Sequence, residues 1–221
     1  MIFKGNRAGE IFEMSLKIGK RFIILHSLET GDSAEKTYVG DRIPILLGPG
    51  RAFGSGDHET TSSCLEELEN LPVRASTKVL DLGSGTGILA IAAAKMGALS
   101  VTALDTSPDA IETTISNGKL NGVEKIVIPN RGGLELVKGE RFDIILANLY
   151  GEVLLALVSE LAKCLQPGGF LVLSGVHYDF NYELRTAFIK SGLDLIRDRF
   201  LENYTTMVFK KESSPSNWLL I

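Results

Sequence analysis

Cysteine is scarce in this sequence, which has only two among its 221 residues, Cys64 and Cys164. They lie far apart and form no C-x-x-C pair, so their spacing supports neither a disulfide framework nor a structural zinc site. Both fall on apolar positions of predicted helices, where a thiol behaves as a small hydrophobic side chain. We therefore expect two core thiols and no bound metal.

The sequence also has no excess of basic residues. The 23 Lys and Arg residues are outnumbered by 27 Asp and Glu residues, which gives a formal net charge of −4. Proteins that bind nucleic acid through its phosphates usually carry a broad basic surface. Nucleic acid is therefore an unlikely partner by sequence, and a mildly acidic surface favours a basic partner instead.

Long hydrophobic runs are absent as well. The N-terminal stretch MIFKGNRAGEIFEM lacks the apolar core of a signal peptide. The longest apolar region, ILAIAAAKMGALSVTAL, is interrupted by Lys95 and Gly97 and predicts a helix, a turn and a strand rather than a membrane span. These patterns predict a soluble, cytoplasmic protein with no membrane segment.

The sequence does contain a regular alternation of strand and helix patterns. A β-rich extension is predicted over residues 1–50, an α/β domain over 51–211 and a C-terminal tail over 212–221. Such alternation predicts a Rossmann-like sheet of parallel strands with helices on both faces. The last two strands, LDLIRDRFLEN and YTTMVFKK, predict a hairpin around Glu202 and Asn203 that makes the final strand antiparallel.

A glycine-rich turn follows the first strand of this domain, in VLDLGSGTG. Gly83, Gly85 and Gly87 remove side chains, so that a ligand can lie against the backbone. The next strand ends at Asp105, at the edge where open α/β sheets bind ligands, and an acid there can accept hydrogen bonds from ribose hydroxyls. The pattern favours an adenosine-type cofactor, and the alternative is a turn that serves only tight strand–helix packing.

The acid at the head of the same motif narrows the choice of cofactor. A dinucleotide site reads G-x-G-x-x-G and faces a pyrophosphate. Here the pattern is D-x-G-x-G-x-G, and it begins with Asp81. A carboxylate suits a ligand with a cationic amino-acid end better than a pyrophosphate.

The motif VLDLGSGTG resembles the first motif of class I S-adenosylmethionine-dependent methyltransferases, and the predicted element order matches their seven-stranded sheet. This resemblance implies S-adenosylmethionine as the cofactor. The residues that it implies for cofactor binding at the two strand ends are Asp81, Gly83, Ser84, Gly85, Gly87, Asp105 and Thr106.

A longer resemblance covers residues 50–211. The segments AFGSGDHETT, ANLYGEVLLAL and LSGV are similar to those of the ribosomal protein L11 methyltransferase family, whose members methylate protein amino groups. In that family the loop matching residues 53–61 folds over the methionine end of the cofactor. The resemblance thus implies four further cofactor-binding residues, Phe53, Gly54, Thr60 and Thr61.

The sequence departs from the family pattern in two places. Ser55 and Asp57 stand where the family usually has Thr, and Glu59 stands where it has Pro; Asp57 adds a negative charge near the reaction centre. Ahead of the catalytic domain the family carries a separate α/β domain that holds the protein substrate, whereas only about fifty residues are found here. The sequence therefore leaves two alternatives for the methyl acceptor, a protein amine and a small molecule. A third hypothesis is that the chain is a non-catalytic S-adenosylmethionine-binding module.

The segment ANLY carries the candidate catalytic groups. Asn148 ends the central strand, where its amide oxygen can accept an N–H from an amine nucleophile and aim the lone pair, and the backbone carbonyl of Leu149 can do likewise. Asn148 also belongs to the cofactor-binding set. The structural alternative for Asn148 is that its side chain caps the following helix. Tyr150, two residues later, either shapes the acceptor site or is a surface aromatic.

Two histidines are weaker candidates. His58 in the first glycine loop is read either as a general base or, preferably, as an orienting hydrogen-bond partner. His177 follows the fifth strand of the predicted domain, where with Tyr178 and Asp179 it can help to define the substrate. The sequence carries no indication of the oligomeric state.

Overall fold

The computed structural model describes residues 12–27, 40–49 and 52–213, without the side chains of residues 12–14 and 27. The described strands are β1 (Phe12–Ile18), β2 (Phe22–Ser27), β3 (Ile43–Leu47), β4 (Lys78–Leu82), β5 (Ser100–Asp105), β6 (Val127–Arg131), β7 (Phe142–Asn148), β8 (Leu165–His177), β9 (Leu193–Phe200) and β10 (Tyr204–Lys211). The described α-helices are α1 (Glu59–Leu68), α2 (Ile88–Lys95), α3 (Pro108–Leu120), α4 (Gly151–Ala156), α5 (Val158–Cys164) and α6 (Asn181–Lys190).

Seven strands form the main sheet, in the order β6-β5-β4-β7-β8-β10-β9. β6, β5, β4, β7 and β8 run parallel to one another, and β10 is antiparallel to both β8 and β9. The prediction of a Rossmann-like seven-stranded sheet with an antiparallel terminal strand is confirmed.

Each face of the sheet is covered by its own hydrophobic core. Val79 of β4 faces the core that contains residues of α1 and α2, whereas Leu80 faces the core that contains residues of α4, α5 and α6. Successive side chains of a strand point to opposite faces. Asp81 therefore lies on the same face as Val79, toward α1 and α2.

The three N-terminal strands form a second, smaller sheet, in which β2 is antiparallel to β1 and parallel to β3. Phe22, Ile24 and Ile45 belong to the same hydrophobic core as α1 and α2, so this sheet packs on the larger domain. All three strands fall within residues 1–50, where the sequence predicts a β-rich extension. Trp218, in the predicted tail, lies outside the described residues.

The segment between β7 and β8 differs from its prediction. The sequence EVLLALVSELAKCLQPGG reads as one helix, but the chain forms α4 and α5 on either side of Leu157, whose φ of −104° and ψ of 3° interrupt the helix. Leu157 is partly buried against the α4–α6 core, and no glycine or proline marks the break. Tertiary packing rather than local propensity places it there. β8 begins directly after α5.

The strand directions decide where a ligand can bind. The carboxyl ends of β4, β5, β6, β7 and β8 lie at one edge of the sheet, and the antiparallel β10 begins at that same edge, where Tyr204 pairs with His177. Loops at this edge are therefore brought together although they are distant in sequence. Among the described residues, no helix is long and apolar enough to cross a membrane.

Candidate active site

A cleft of about 1220 Å³ opens at the carboxyl edge of the sheet. It is lined by the turns that follow four parallel strands and by the loop that precedes α1. The predicted site residues on its wall are Phe53, Thr60, Gly83, Gly85, Asp105, Thr106, Asn148 and Leu149. The other predicted residues, Gly54, Thr61, Asp81, Ser84 and Gly87, are not among those that line the cleft.

The glycine turn after β4 needs its glycines for two reasons. Gly83, Gly85 and Gly87 have φ values of 77°, 54° and 79°, which L side chains rarely adopt. A Cβ on Gly85 would overlap the carbonyl oxygen of Phe53, and one on Gly87 would lie 2.8 Å from Cγ2 of Thr114. Gly87 thus serves helix packing, whereas Gly83 and Gly85 serve both close packing and the open cleft.

The two glycine loops are joined by hydrogen bonds. The backbone N–H of Thr86 donates to the carbonyl oxygen of Phe53 at 2.9 Å, and the Thr86 hydroxyl donates to the carbonyl oxygen of Gly54 at 2.6 Å. The loop of residues 52–58 and the turn of residues 83–87 are therefore held together at this side of the cleft. A change in either loop is transmitted to the other.

Asp105 is held in a fixed orientation at the end of β5. One carboxylate oxygen accepts the N–H of Gly85 at 2.9 Å, and the other accepts the N–H of Ser107 at 2.9 Å. Each oxygen keeps lone-pair capacity for a second donor. Asp105 can therefore accept hydrogen bonds from ribose hydroxyls in the cleft without rearranging the turn, and Thr106 lies beside it.

Replacing Asp105 by Asn is expected to weaken binding of S-adenosylmethionine by about 10- to 30-fold, because charge-assisted hydrogen bonds are lost. Isothermal titration calorimetry measures the dissociation constant. Asp109→Asn is the matched control, since Asp109 also lines the cleft but is exposed on the first turn of α3. Equal losses in the two variants would contradict a specific role for Asp105.

Asp81 is completely buried, with 0% of its surface exposed. Its Oδ2 accepts the N–H of Ala90 at 3.0 Å, and its Oδ1 has no hydrogen-bond partner among the described residues. Burial, with a smaller contribution from the charge of Asp105, raises the pKa of Asp81 to about 7 against the lowering effect of the Ala90 bond. Gly83 lines the cleft two residues further along the chain, and an orphaned acceptor this close to it fits a ligand that brings positive charge.

The free energy of unfolding should depend on pH because of this buried carboxyl. Since its folded pKa of about 7 exceeds the ordinary value, the folded protein keeps a proton that the unfolded chain has released above pH about 4. Stability of the ligand-free protein therefore falls as pH rises toward 7, by roughly 2 to 3 kcal/mol between pH 5 and 8. Denaturant unfolding of the wild type and Asp81→Asn measures this, and an identical pH dependence in both would contradict the assignment.

Asn148 lies where its side chain is oriented from two sides. Its Nδ2 donates to the hydroxyl of Thr61 at 3.3 Å, which leaves Oδ1 with no hydrogen-bonded donor among the described residues. Gly175 allows the close approach, because a Cβ there would lie 2.8 Å from that Oδ1. The N-cap of α4 is Tyr150, so the alternative in which Asn148 caps this helix is wrong. Tyr150 itself lines the cleft and is 74% exposed.

His58 is the N-cap of α1, and its Nδ1 accepts the N–H of Thr60 at 3.4 Å and lies 2.8 Å from the Thr60 hydroxyl. The ring lies edge-on to Phe53 on one side and to Tyr204 on the other, with centroid distances of 5.5 and 5.3 Å. These contacts support the orienting role rather than base catalysis. Asp57 is exposed and His177 contacts Asp179 at 3.2 Å, and neither lines the cleft.

Two parts of the cleft wall were not among the predicted residues. Tyr204 lines the cleft at the start of β10, and Gly132 and Gly133 line it after β6. An antiparallel strand begins at the edge where parallel strands end, so the predicted hairpin contained the information needed to place Tyr204. The glycine pair after the predicted strand KIVIP could have been placed by the same rule.

Comparison with known proteins finds a family that matches nearly the whole described region. A model of the family described as "Ribosomal protein L11 methyltransferase (PrmA)" matches residues 12–212. A ribosomal protein L11 methyltransferase of Trichlorobacter lovleyi is 42% identical over 81% of this chain and 57% of its own length. One of Pelobacter propionicus is 38% identical over 89% of this chain and 63% of its own length. The chain thus spans about three fifths of the curated relatives that it matches.

A solved structure shows the same architecture. The ribosomal protein L11 methylase of Lactobacillus delbrueckii subsp. bulgaricus superposes with a TM-score of 0.79 at 27% identity, over 90% of this chain and 98% of that one. The match to the family model includes the small N-terminal sheet as well as the seven-stranded domain. This chain belongs to the ribosomal protein L11 methyltransferase family.

Proposed function

We propose that this chain is an S-adenosylmethionine-dependent N-methyltransferase that acts on protein amino groups in the cytoplasm. The acceptor is a lysine or N-terminal amine, and ribosomal protein L11 is the first candidate. One observation carries the proposal: a single cleft is lined both by the glycine turn that Asp105 anchors and by Asn148, whose Oδ1 has no donor in the described part of the chain.

The cleft supports one orientation of the cofactor. Asp105 and Thr106 offer acceptors for the ribose at the end of β5, and Gly83 and Gly85 leave space for the backbone to approach the ligand. The loop of residues 52–58 and the buried Asp81 lie toward α1, where the cationic amino-acid end fits. When bound, S-adenosylmethionine supplies a methyl group on a sulfonium, which a nucleophile displaces in line.

The acceptor amine must be neutral before it can attack. Lysine has an ordinary pKa of about 10.4, so about one molecule in a thousand or fewer is neutral at pH 7. Entry into a partly desolvated cleft that holds a sulfonium lowers this pKa, because burial and like charge both disfavour the ammonium. Asn148 Oδ1, and the carbonyl oxygen of Leu149, then accept an N–H and orient the lone pair toward the methyl group.

Labelled methyl transfer tests the proposal. Purified protein is incubated with methyl-labelled S-adenosylmethionine and either recombinant ribosomal protein L11 or a cell lysate that is split into protein and small-molecule fractions. Label in L11 or another protein, at lysine or the N-terminus by mass spectrometry, supports the proposal. Label confined to small molecules assigns a small-molecule methyltransferase, and tight cofactor binding without any transfer assigns a non-catalytic binding module.

A further inference from the structure

We propose that Asp81 determines how strongly the site prefers the sulfonium donor over the thioether product, by releasing a proton when the donor binds. The inference rests on the cofactor of the proposed function, but it does not depend on the acceptor. It makes cofactor binding a proton-linked step.

The geometry around the carboxyl group is unusual for an aspartate. Asp81 is fully buried, and it receives one backbone hydrogen bond, from Ala90 at the N-terminal part of α2. Its second oxygen is an acceptor without a donor among the described residues. A buried carboxylate is costly to ionise when one of its oxygens accepts no hydrogen bond, so the ligand-free site favours the protonated form of Asp81.

The groups that face Asp81 do not supply a compensating positive charge. On α1 the facing group is Cys64, whose thiol is fully buried and has a pKa raised to about 12, chiefly by burial, and so stays neutral. From β5 the charged group is Asp105, which is also an acid, and the β7 neighbour in register is Leu146. Asp81 belongs to none of the ion pairs among the described residues.

Donor and product differ by one positive charge. S-adenosylmethionine carries a sulfonium and an ammonium against one carboxylate, whereas S-adenosylhomocysteine carries only the ammonium and the carboxylate. The cleft wall includes Leu82, the residue next to Asp81 in β4, and positive charge in the cleft stabilises the ionised form of this nearby carboxyl. On donor binding, the O–H bond of Asp81 breaks and its proton passes to the solvent; no bond to the ligand forms. After methyl transfer the sulfonium charge is gone while the ammonium remains, so the protonated fraction of Asp81 rises again.

Proton release can be measured without any turnover. The heat of binding is recorded by isothermal titration calorimetry at pH 6.5 and 8 in buffers of different ionisation enthalpy, once with S-adenosylmethionine and once with S-adenosylhomocysteine. From a ligand-free pKa near 7, the donor should release about 0.8 proton at pH 6.5 and about 0.1 at pH 8. The product should release clearly less. Donor affinity should rise about tenfold from pH 6 to 8.

Two variants test whether the released proton comes from Asp81. Asp81→Asn should bind the donor with no proton release at either pH, and its preference for donor over product should no longer change with pH. Asp109→Asn is the matched control, because Asp109 is an exposed carboxyl on the cleft wall, and proton release should persist in it. Release that survives in Asp81→Asn, or that disappears in Asp109→Asn although the donor still binds, overturns the proposal.

The wild-type protein alone gives a second test if Asp81→Asn does not fold. Asp81 is the only buried aspartate among the described residues, so a ¹³C carboxyl resonance of an aspartate that titrates near neutral pH identifies it. That resonance should be ionised throughout this range once S-adenosylmethionine is bound. Binding heat that does not depend on the buffer, or equal release with both ligands, overturns this proposal alone. Absence of any binding overturns the proposed function as well.

Discussion

Replacing Asn148 by Ala is expected to slow methyl transfer by about 10²- to 10³-fold, while the dissociation constant of S-adenosylmethionine changes little. The side chain is held by its bond to Thr61 and by the close approach of Gly175, so that its oxygen is presented to the cleft. Without that oxygen an amine acceptor loses the group that orients its lone pair. Single-turnover kinetics with a saturating acceptor measure the loss, and calorimetry measures cofactor binding.

Two further variants test whether the oxygen of Asn148 and its orientation, rather than the size of the side chain, support methyl transfer. Asn148→Asp keeps an oxygen acceptor of the same size and should retain more activity than Asn148→Ala. Thr61→Val removes the hydroxyl that receives the Asn148 amide and should lower the rate by an intermediate factor. If Asn148→Ala methylates at the wild-type rate, the proposed role of Asn148 is wrong.

The second large effect is expected from Gly85→Ala. Alanine at a φ of 54° adds backbone strain of about 1 to 2 kcal/mol, and its Cβ would overlap the carbonyl oxygen of Phe53, which belongs to the backbone and cannot simply rotate away. The two glycine loops must therefore separate, and the Thr86–Phe53 hydrogen bond is lost. We expect a stability loss of about 3 kcal/mol and cofactor binding at least about tenfold weaker.

Gly122→Ala provides the matched control for this change. Gly122 has a φ of 66°, and a Cβ there would meet no atom within 4 Å. This variant should lose about 1 kcal/mol of stability from backbone strain and keep normal cofactor affinity. Denaturant unfolding and calorimetry on both proteins measure the difference. Equal effects on cofactor binding in the two variants would show that the contact between the loops does not shape the site.

The sequence predicted the parts of the site that depend on local pattern. Gly83, Gly85 and Asp105 follow buried strands at short, regular spacing, and Asn148 ends a strand that is almost wholly apolar. Strand ends at one edge of a parallel sheet must meet, so their convergence in the cleft follows from topology. The orientation of Asn148 does not, because it depends on Thr61, which is 87 residues away in sequence.

Other features depended on tertiary packing that the sequence pattern does not show. Asp81 was predicted as a group that binds the cofactor, but its place in the motif did not reveal that it is fully buried and that its Oδ1 has no hydrogen-bond partner within the described part of the chain. Tyr204 belongs to no sequence motif, and only the antiparallel direction of β10 brings it to the cleft. In the structure Glu59 accepts the N–H groups of Glu202 and Asn203 in the turn between β9 and β10, at 3.1 and 3.4 Å, and so ties the turn to the start of α1.

A crystal structure of this protein with S-adenosylhomocysteine tests the central claim most directly. The ribose hydroxyls should lie within hydrogen-bond distance of Asp105, and the homocysteine end should lie between residues 52–58 and the Gly83–Gly85 turn, above Asp81. A ligand bound elsewhere, or one whose ribose lies away from Asp105, would contradict the account.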